Sequence, residues 1–386
     1  MNKRVFEYFD IDPGDPRWKD WTWQYKNRIT GIEQLSHIID LGDSEKSDIS
    51  ICLSRFRMAI TPYFASLMDP EDPRCPIRLQ SVPRISETVS LPCEMADPLN
   101  EDGDSPVPNI VHRYPDRVLF LVTRACAAYC RHCTRRRIVG EEDYAISRAE
   151  IDAAAGYIES TPQIRDVLIS GGDPLTLSDR ALEYIIARIR SIPHVEIIRI
   201  GTRIPITMPM RITPALTEML RQYHPLWMNI QCNHPRELTP ESRAALAALA
   251  DAGIPLGNQS VLLRGINDST AVMKELVLKL VAARVRPYYI YQCDLSEGLG
   301  QFRTRVQTGI DIIHDLTGNI SGFAVPKFVI DAPGGGGKVP INPEYIISRS
   351  ADKIVMRNFE GRTYEYPEPD DLPPCSPERA GLQARP

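Results

Sequence analysis

Three cysteines lie within eight residues, at Cys126, Cys130 and Cys133, in the spacing CxxxCxxC. Thiolates are the usual ligands of iron-sulfur clusters, and three of them would leave one iron of a [4Fe-4S] cube open. The alternatives are a zinc knuckle and three buried, unreactive thiols. A closed zinc site needs four ligands, however. His132 is poorly placed to complete a tetrahedron, and no second Cys-x-x-Cys pair occurs. The spacing therefore predicts a cluster with one open iron.

A glycine-rich turn, Ser170-Gly171-Gly172-Asp173, follows the next apolar run of the chain. Two glycines allow a backbone to approach a ligand closely, and the Asp173 carboxylate can accept from a ligand amine. Alone, such a turn is more often an ordinary tight connection between a strand and a helix. Its position, one such unit after the cysteine loop, favours a ligand-binding role.

The cysteine triplet and this turn together resemble the radical S-adenosylmethionine (SAM) superfamily. The resemblance implies that Cys126, Cys130 and Cys133 bind the cluster and that the amino acid end of SAM chelates the open iron. It also implies that SAM contacts the turn from Ser170 to Asp173. An electron from the cluster would then cleave SAM to a 5'-deoxyadenosyl radical.

A run of four glycines ends in a lysine at Asp331-Ala-Pro-Gly-Gly-Gly-Gly-Lys338. A Walker A loop requires Ser or Thr after this lysine and a helix that begins there. Here Val339 and Pro340 follow, so we reject ATP binding. A lysine on a glycine arm suits a Schiff base with pyridoxal phosphate (PLP), which a substrate amine can replace. The alternative for an isolated motif is a surface loop with a solvated lysine.

Six short apolar or β-branched runs alternate with helical patterns from Val118 onward. The alternation predicts six strand-helix units and a parallel sheet that curves into an open barrel. The runs are 118–122, 166–169, 196–200, 226–230, 256–261 and 286–291, and the helical patterns include 148–160 and 177–191. Chemistry in such barrels collects at the carboxyl ends of the strands, where the cysteine loop would lie.

We divide the chain into four regions. Residues 1–107 read mainly as helices, including patterns at 32–41 and 48–67, and close with an extended Pro- and acid-rich linker at 97–108. Residues 108–295 form the predicted barrel, and residues 296–368 form a C-terminal segment that carries Lys338. Residues 369–386 are rich in Pro, Asp and Arg, and we expect them to lack fixed structure.

Length and charge are typical of a soluble enzyme. The chain has 386 residues, a net charge of −5 and nine cysteines. The charge gives no indication of a nucleic-acid partner, and the cysteines are too sparse for a disulfide scaffold. Neither a signal peptide nor a run of about 18 apolar residues is evident. We therefore expect a cytoplasmic protein that does not enter a membrane.

Five motifs resemble those of the lysine 2,3-aminomutase family, and the likeness extends from Trp18 to about Pro367. The motifs are 112–117, 126–137, 257–265, 286–294 and 331–338. The resemblance implies a partial (β/α)6 barrel of the radical SAM type with an N-terminal helical region and a C-terminal PLP-lysine segment. It implies an isomerase with a [4Fe-4S] cluster, SAM and PLP. The amino group would move from C2 to C3 after the 5'-deoxyadenosyl radical removes a hydrogen from the β carbon.

The same resemblance assigns roles to individual residues. Lys338 would bind PLP covalently, Arg135 would pair with the substrate carboxylate, and Asp294 and Asp331 would receive a cationic side chain. The residues that it places near the PLP cofactor are Arg113, Tyr114, Arg117 and Gln259. Two carboxylates in a partly buried pocket repel each other unless a cation joins them. This favours the interconversion of L-lysine and L-β-lysine over a reaction of glutamate, with L-arginine as an alternative.

Two positions depart from the family pattern. In Asn229-Ile-Gln-Cys-Asn-His-Pro235, Gln231 replaces a histidine expected near SAM, and Cys232 replaces an aromatic residue. Glutamine can still donate and accept hydrogen bonds but cannot titrate, so we assign Gln231 to cofactor binding. The C-terminal tail has only Cys375, and Ser269 stands where a partner cysteine would lie. We therefore predict no structural zinc.

Two other functional classes stay open. One is a radical SAM enzyme that acts on a lysyl side chain of a protein, and the other is a non-enzymatic iron-sulfur or redox-sensing protein. The retained Asp294 and Asp331 argue against the first class, and Lys338 argues against the second. For the mutase, we expect an electron donor such as flavodoxin or ferredoxin, and a homo-oligomer, either a dimer or a tetramer.

Overall fold

The computed structural model describes residues 1–139 and 144–369. The first 100 residues fold as short helices that pack on one another and on the sheet. They are α1 (Lys3–Phe9), α2 (Trp21–Lys26), α3 (Ile32–Ile38), α4 (Asp43–Leu53), α5 (Pro62–Ser66) and α6 (Pro76–Ser81). The continuous helix predicted at 48–67 is wrong. Helix α4 ends at Leu53, and α5 begins at Pro62 because Thr61 caps it and proline suits a first turn.

A nine-stranded sheet follows, and its strands are in chain order. They are β1 (Ile110–Tyr114), β2 (Arg117–Thr123), β3 (Asp166–Gly171), β4 (Ile197–Thr202), β5 (Leu226–Ile230), β6 (Leu256–Leu262), β7 (Val285–Gln292), β8 (Lys327–Ala332) and β9 (Gly337–Pro340). Strands β2 to β8 pair in parallel, whereas β1 and β9 pair antiparallel at the two edges.

Helices connect the parallel strands on the outside of the sheet. They are α7 (Arg148–Glu159), α8 (Asp179–Arg190), α9 (Ile204–Thr207), α10 (Pro214–Arg221), α11 (Pro240–Asp251), α12 (Thr270–Ala282) and α13 (Val306–Leu316). All six predicted strands are present, so the six strand-helix units are confirmed. Strand β8, which the sequence analysis missed, extends the parallel part of the barrel beyond them.

The two edge strands meet and nearly close the barrel. The backbone N–H of Lys338 on β9 donates to the Tyr114 hydroxyl on β1 at 3.0 Å. One continuous core of buried residues extends from Val5 in the helical region to Phe328 on β8. A separate antiparallel sheet follows the barrel, with β10 (Ile346–Arg349), β11 (Lys353–Arg357) and β12 (Thr363–Pro367). The four-region division stays a prediction, and residues 370–386, with Cys375, lie outside the described residues.

The segment predicted as an extended linker at 97–108 instead folds into successive turns. Asn100 N–H donates to the Asp97 carbonyl, and Asp104 N–H donates to the Asn100 carbonyl. Asn100 adopts a left-handed φ of 54°, which asparagine tolerates better than most residues. These local bonds replace the extended conformation and bury Glu101, which is only 7% exposed.

Candidate active site

The barrel encloses a cavity of about 750 Å³. Residues from the inward faces of the strands and from the loops at their carboxyl ends line it. Ten residues singled out in the sequence contribute to this lining: Arg113, Tyr114, Arg117, Arg135, Ser170, Gln231, Gln259, Asp294, Asp331 and Lys338. The barrel therefore brings together residues from β1 to β9 that are up to 225 positions apart in the chain.

The cysteine loop follows β2, at the carboxyl end of the sheet. Its three thiols are unpaired and partly exposed. Burial, followed by neighbouring negative charges, raises the pKa of Cys126, and burial also raises the pKa of Cys133 to about 11. Within residues 1–139 and 144–369, no three His, Cys, Asp or Glu side chains converge on one metal-ion position. A four-iron cluster takes several thiolates at different irons and does not require such convergence.

Arg203, which directly follows β4, is hydrogen-bonded to the cysteine loop. Its Nη1 donates to the Cys130 sulfur at 2.7 Å, and its Nη2 donates to Gln80 at 2.7 Å and to Glu237 at 3.0 Å. Burial alone would lower the pKa of Arg203, but Cys130 and Glu237 together raise it. This buried cation therefore stabilises negative charge on a cysteine sulfur. The sequence analysis did not identify it.

A buried carboxylate also fixes the loop from the N-terminal helical region. Glu87 is fully buried and accepts from Arg131 Nη2 at 2.6 Å and from Arg136 Nη2 at 2.5 Å. Both arginines belong to the cysteine motif, and one of them lies between two cysteines. Burial alone would raise the pKa of Glu87, but the two guanidinium groups hold it below its usual range. Sequence reasoning missed this residue because nothing near Glu87 in the chain indicates its partners.

The glycine turn after β3 packs directly on the cysteine loop. Gly172 N–H donates to the Thr123 carbonyl, and a Cβ on Gly172 would lie 2.3 Å from the Ala125 carbonyl oxygen. Gly171 has a φ of +123°, which favours glycine. The close backbone approach predicted for these glycines is therefore made to the cysteine loop itself.

Asp173 is occupied by protein donors. Its carboxylate accepts from Thr202 Oγ1 at 2.7 Å, from Arg203 N–H at 2.7 Å and from Leu175 N–H at 3.1 Å. Burial raises its pKa despite these bonds. Of the turn residues, only Ser170 lines the cavity, so the Asp173 side chain joins β3 to β4 here. Its assignment to SAM binding stays a prediction.

The glycine arm is a hairpin turn between β8 and β9. Gly334, Gly335 and Gly337 have φ values of 72°, 82° and 80°, which favour glycine. The hairpin sets Asp331 directly opposite Lys338. The Lys338 ammonium donates to the two Asp331 oxygens at 2.8 and 3.1 Å and is 33% exposed. The lysine thus lies on a strand edge in the cavity wall rather than on a free arm.

Asp294 lies in the same cavity, two residues after β7. Thr134 Oγ1 donates to its carboxylate at 2.6 Å. Burial is the main cause that raises the pKa of Asp294 to about 6, and the charge of Asp331 adds to it. The two acids predicted to receive a cation therefore interact electrostatically, and an ammonium, that of Lys338, is bound to one of them.

Arg135 is also in the cavity, but it already has a carboxylate partner. Its Nε and Nη2 donate to Glu101 at 2.9 and 2.7 Å. Glu101 belongs to the segment predicted as a linker because of its proline and acidic residues, so the sequence did not identify it as a site residue. The only sequence signal for it was an acidic residue shortly after a proline.

Basic and aromatic side chains line the β1 side of the cavity. The Arg117 guanidinium stacks on the Tyr114 ring at 3.8 Å, and Arg113 lies 3.6 Å from Asp104. On the β7 side, the Lys338 ammonium lies 5.1 Å from the centre of the Tyr291 ring. Two arginines and an aromatic surface beside a lysine can hold a phosphorylated aromatic cofactor.

The strands β5 and β6 present amides to the cavity. Gln231 and Gln259 line it, and the buried Nδ2 of Asn229 has no hydrogen-bond partner among the described residues. An unpaired buried donor at a cavity wall favours a polar ligand there. Sequence reasoning quoted Asn229 only as part of a motif and did not assign it to the site. Cys232 is buried and does not line the cavity.

The donor sets therefore fit the three expected groups. Three free thiols next to a buried arginine suit an iron-sulfur cluster, and the cavity-lining amides of Asn229 and Gln231 suit SAM. Lys338, the arginines Arg113 and Arg117 and the ring of Tyr291 suit PLP.

Comparison with known proteins agrees with this arrangement. Residues 120–277 match the family model "Radical SAM superfamily", and residues 313–383 match the model "Lysine-2,3-aminomutase". The L-lysine 2,3-aminomutase of Clostridium subterminale is 56% identical over 97% of this chain and 90% of its own length. The chain belongs to the lysine 2,3-aminomutase family.

Two further relatives differ in the substrate for which they are named. The L-lysine 2,3-aminomutase of Bacillus subtilis is 52% identical over 94% of this chain and 77% of its own length. The glutamate 2,3-aminomutase of Clostridioides difficile is 45% identical over 94% of this chain and 86% of its own length. The family of this chain thus includes enzymes named for substrates of opposite side-chain charge.

No helix in the described part of the chain is long and apolar enough to cross a membrane.

Proposed function

We propose that this protein is a radical SAM, PLP-dependent isomerase that interconverts L-lysine and L-β-lysine. The observation that carries the substrate assignment is the Lys338 ammonium bound by Asp331 at 2.8 Å, in a cavity that also contains Asp294. An ammonium already occupies one acid of the pair. Lys338 would leave this position to hold PLP, and Asp331 and Asp294 would then be free to bind the ammonium of a substrate lysine.

Charge decides against an acidic substrate. The raised pKa of Asp294, about 6, reflects burial next to a second carboxylate. A substrate carboxylate at this end would add a third negative charge, whereas a cation lowers the energy of both ionised acids. The same argument admits arginine, whose guanidinium also carries a positive charge.

We assign the cofactor-binding residues from the family motifs to which they belong, and those that line the cavity also from their positions around it. Cys126, Cys130 and Cys133 would hold the cluster, and the Arg203 guanidinium would stabilise the charge on Cys130. Ser170, Gly171, Gly172, Asp173 and Gln231 would hold SAM, which would supply the 5'-deoxyadenosyl radical when the cluster reduces it. Arg113, Tyr114, Arg117 and Gln259 would hold PLP, which would supply a ring that delocalises the unpaired electron while nitrogen moves from C2 to C3.

The remaining residues orient the substrate and exclude water. Arg135 binds its carboxylate, and Asp294 and Asp331 bind its side-chain ammonium, so the two ends fix which hydrogen faces the SAM side. The Lys338 amine is the residue that would hold PLP covalently, through a bond that a substrate amine can replace. The nearly closed wall, with Tyr114 bonded to the backbone of Lys338, excludes water from the radical steps.

We further propose a cytoplasmic homo-oligomer that receives electrons from a small redox protein such as flavodoxin or ferredoxin. Reduced thiols at the cysteine loop support the compartment. The separate C-terminal sheet supports the oligomer because it exposes apolar side chains to solvent. They are Ile346, Ile347, Tyr364 and Tyr366, at 43% to 61% exposure. Sedimentation equilibrium would test the assembly.

An anaerobic assay tests the reaction. The reconstituted, reduced enzyme with SAM and PLP receives L-lysine, L-arginine and L-glutamate in parallel, and chromatography separates α- from β-amino acids. We expect β-lysine. Turnover of arginine alone would support the aminomutase reaction but would change the proposed substrate from lysine to arginine. Absence of any β-amino acid from a protein with intact cluster and bound PLP would contradict the assignment.

A further inference from the structure

Glu101 holds one edge of the Arg135 guanidinium. Arg135 Nε donates to both Glu101 oxygens, at 2.9 and 3.0 Å, and Nη2 donates at 2.7 Å. Burial would lower the pKa of Arg135, but Glu101 raises it above its usual value. Glu101 also lines the cavity. The Nη1 group of Arg135 has no hydrogen-bond partner in the part of the chain that the structure describes, so the second edge of the fork is available.

The turn that carries Glu101 is fixed on several sides. The Pro98 carbonyl accepts from Gly334 N–H at 2.8 Å, which ties the turn to the glycine hairpin beside Lys338. The Asp104 carbonyl accepts from His112 N–H on β1 at 2.8 Å. The Glu101 carboxylate therefore has a defined place relative to the hairpin and to β1.

We propose that Glu101 is a positioning residue for the substrate. By holding the Nε–Nη2 edge of Arg135, it presents the Nη1–Nη2 edge to the carboxylate of an α-amino acid. This inference rests on the proposed function, because the carboxylate-binding role of Arg135 belongs to it. An arginine without a partner would lose rotamer freedom when substrate binds. Because Glu101 already holds the Arg135 side chain in one conformation, substrate binding does not carry this entropic cost.

Glu101 also restricts which anions Arg135 accepts. Its own charge balances that of Arg135, so the pair attracts a carboxylate through the directed hydrogen bonds of the free edge rather than through net charge. Only an anion that reaches this edge is bound well. Glu101 thereby confines a bound substrate carboxylate to one side of Arg135, with the side chain left to reach Asp294 and Asp331.

The test measures binding without turnover. The PLP-loaded enzyme, without SAM or reductant, is titrated with L-lysine and with L-lysinamide, and the change in the PLP absorption spectrum reports binding. We expect Glu101→Gln to weaken L-lysine binding roughly tenfold to a hundredfold, as loss of charge-assisted orientation predicts. Binding of lysinamide, which lacks the carboxylate, should change less than about twofold.

Asp102→Asn is the matched control. Asp102 lies on the same turn and also pairs with an arginine, but its side chain is 76% exposed. We expect it to leave both titrations unchanged. The effect of Glu101→Gln should also disappear in an Arg135→Lys background, since lysine has no fork to orient.

Two results would overturn the proposal. Tighter lysine binding by Glu101→Gln would make Glu101 a competitor of the substrate, and an equal loss for lysine and lysinamide would make its role structural. If Glu101→Gln fails to load PLP, Glu101→Asp replaces it and should weaken lysine more than lysinamide. If wild-type enzyme responds to arginine rather than lysine, the substrate assignment has failed, and the same comparison with argininamide still tests Glu101.

Discussion

The candidate site has two ends, the cysteine loop and the β8–β9 hairpin, and they are built differently. At the cysteine loop, Arg131 is 2% exposed and Glu87 is fully buried, and a second arginine, Arg136, shares the same carboxylate. At the hairpin, the Lys338 side chain is 33% exposed and has one ion pair, with Asp331. Buried charges must stay paired, whereas a partly exposed pair can separate at little cost.

This difference matches the tasks that we propose for the two ends. A cluster must keep one position and one charge environment through every turnover, and buried ion pairs maintain both. A lysine that alternates between PLP and its resting partner must separate from Asp331 each time. We therefore expect substitutions at the hairpin to remove activity without unfolding the protein, and substitutions at the cysteine end to affect both.

Lys338→Ala should have the largest effect on activity. We expect no detectable β-amino acid, with the free energy of unfolding changed by less than about 1 kcal/mol, because the lost ion pair is partly exposed. The assay and urea denaturation measure the two quantities. Lys353→Ala is the control: Lys353 also pairs across strands, with Glu365 at 2.9 Å, and should keep full activity. A large loss of stability in Lys338→Ala would remove the contrast between the ends.

Glu87→Ala should have the largest effect on stability. It leaves two guanidinium groups, 2% and 10% exposed, without their carboxylate. Removal of one partner from a buried ion pair costs about 3–5 kcal/mol. Urea denaturation of the cofactor-free chain checks this, and bound iron should also fall. Glu196→Ala removes an exposed pair with Arg165 and should cost less than about 1 kcal/mol.

Two Gly→Ala substitutions make the same chemical change at the two ends. Gly172→Ala forces a Cβ to within 2.3 Å of the Ala125 carbonyl oxygen, whereas a Cβ on Gly334 would meet nothing within 4 Å. Gly334→Ala would cost about 1–2 kcal/mol because its φ is 72°. We expect Gly172→Ala to lose bound iron and keep PLP absorbance, and Gly334→Ala to keep its iron. Normal iron content in Gly172→Ala would contradict the close packing of the two loops.

The sequence predicted what local patterns determine. Period and spacing located six of the seven parallel strands, and the cysteine spacing located the cluster loop after β2. It missed Glu87 and Glu101 because their partners are 34 to 49 positions away, and only tertiary structure brings them together. Proline and acidic composition led to a linker at 97–108, although turns can bury an acid in such a segment. The pairing of Asp331 with Lys338 depended on a hairpin register that composition does not give.

Asp294→Asn should change the free energy of unfolding only above about pH 4, and this pH dependence identifies its cause. The pKa of Asp294 is raised to about 6 by burial and by Asp331, whereas an unfolded aspartate has a pKa of about 3.9. The folded chain therefore binds a proton more tightly than the unfolded chain. Ionisation costs folding free energy that is absent below about pH 4 and grows until about pH 6.

Asparagine cannot ionise but can still accept from Thr134, so Asp294→Asn should match the wild type near pH 4 and exceed its unfolding temperature at pH 7. Each unit of pKa difference corresponds to about 1.4 kcal/mol, which sets the upper scale of the gain. Thermal unfolding of both cofactor-free proteins from pH 4 to pH 8 measures it, and a pH-independent difference would contradict the raised pKa.

Wild-type affinity for L-lysine should weaken as the pH falls below about 6, because a protonated Asp294 no longer attracts an ammonium. Ionisation of Asp294 thus destabilises the empty protein, and the resulting charge attracts the ammonium of the substrate when it binds.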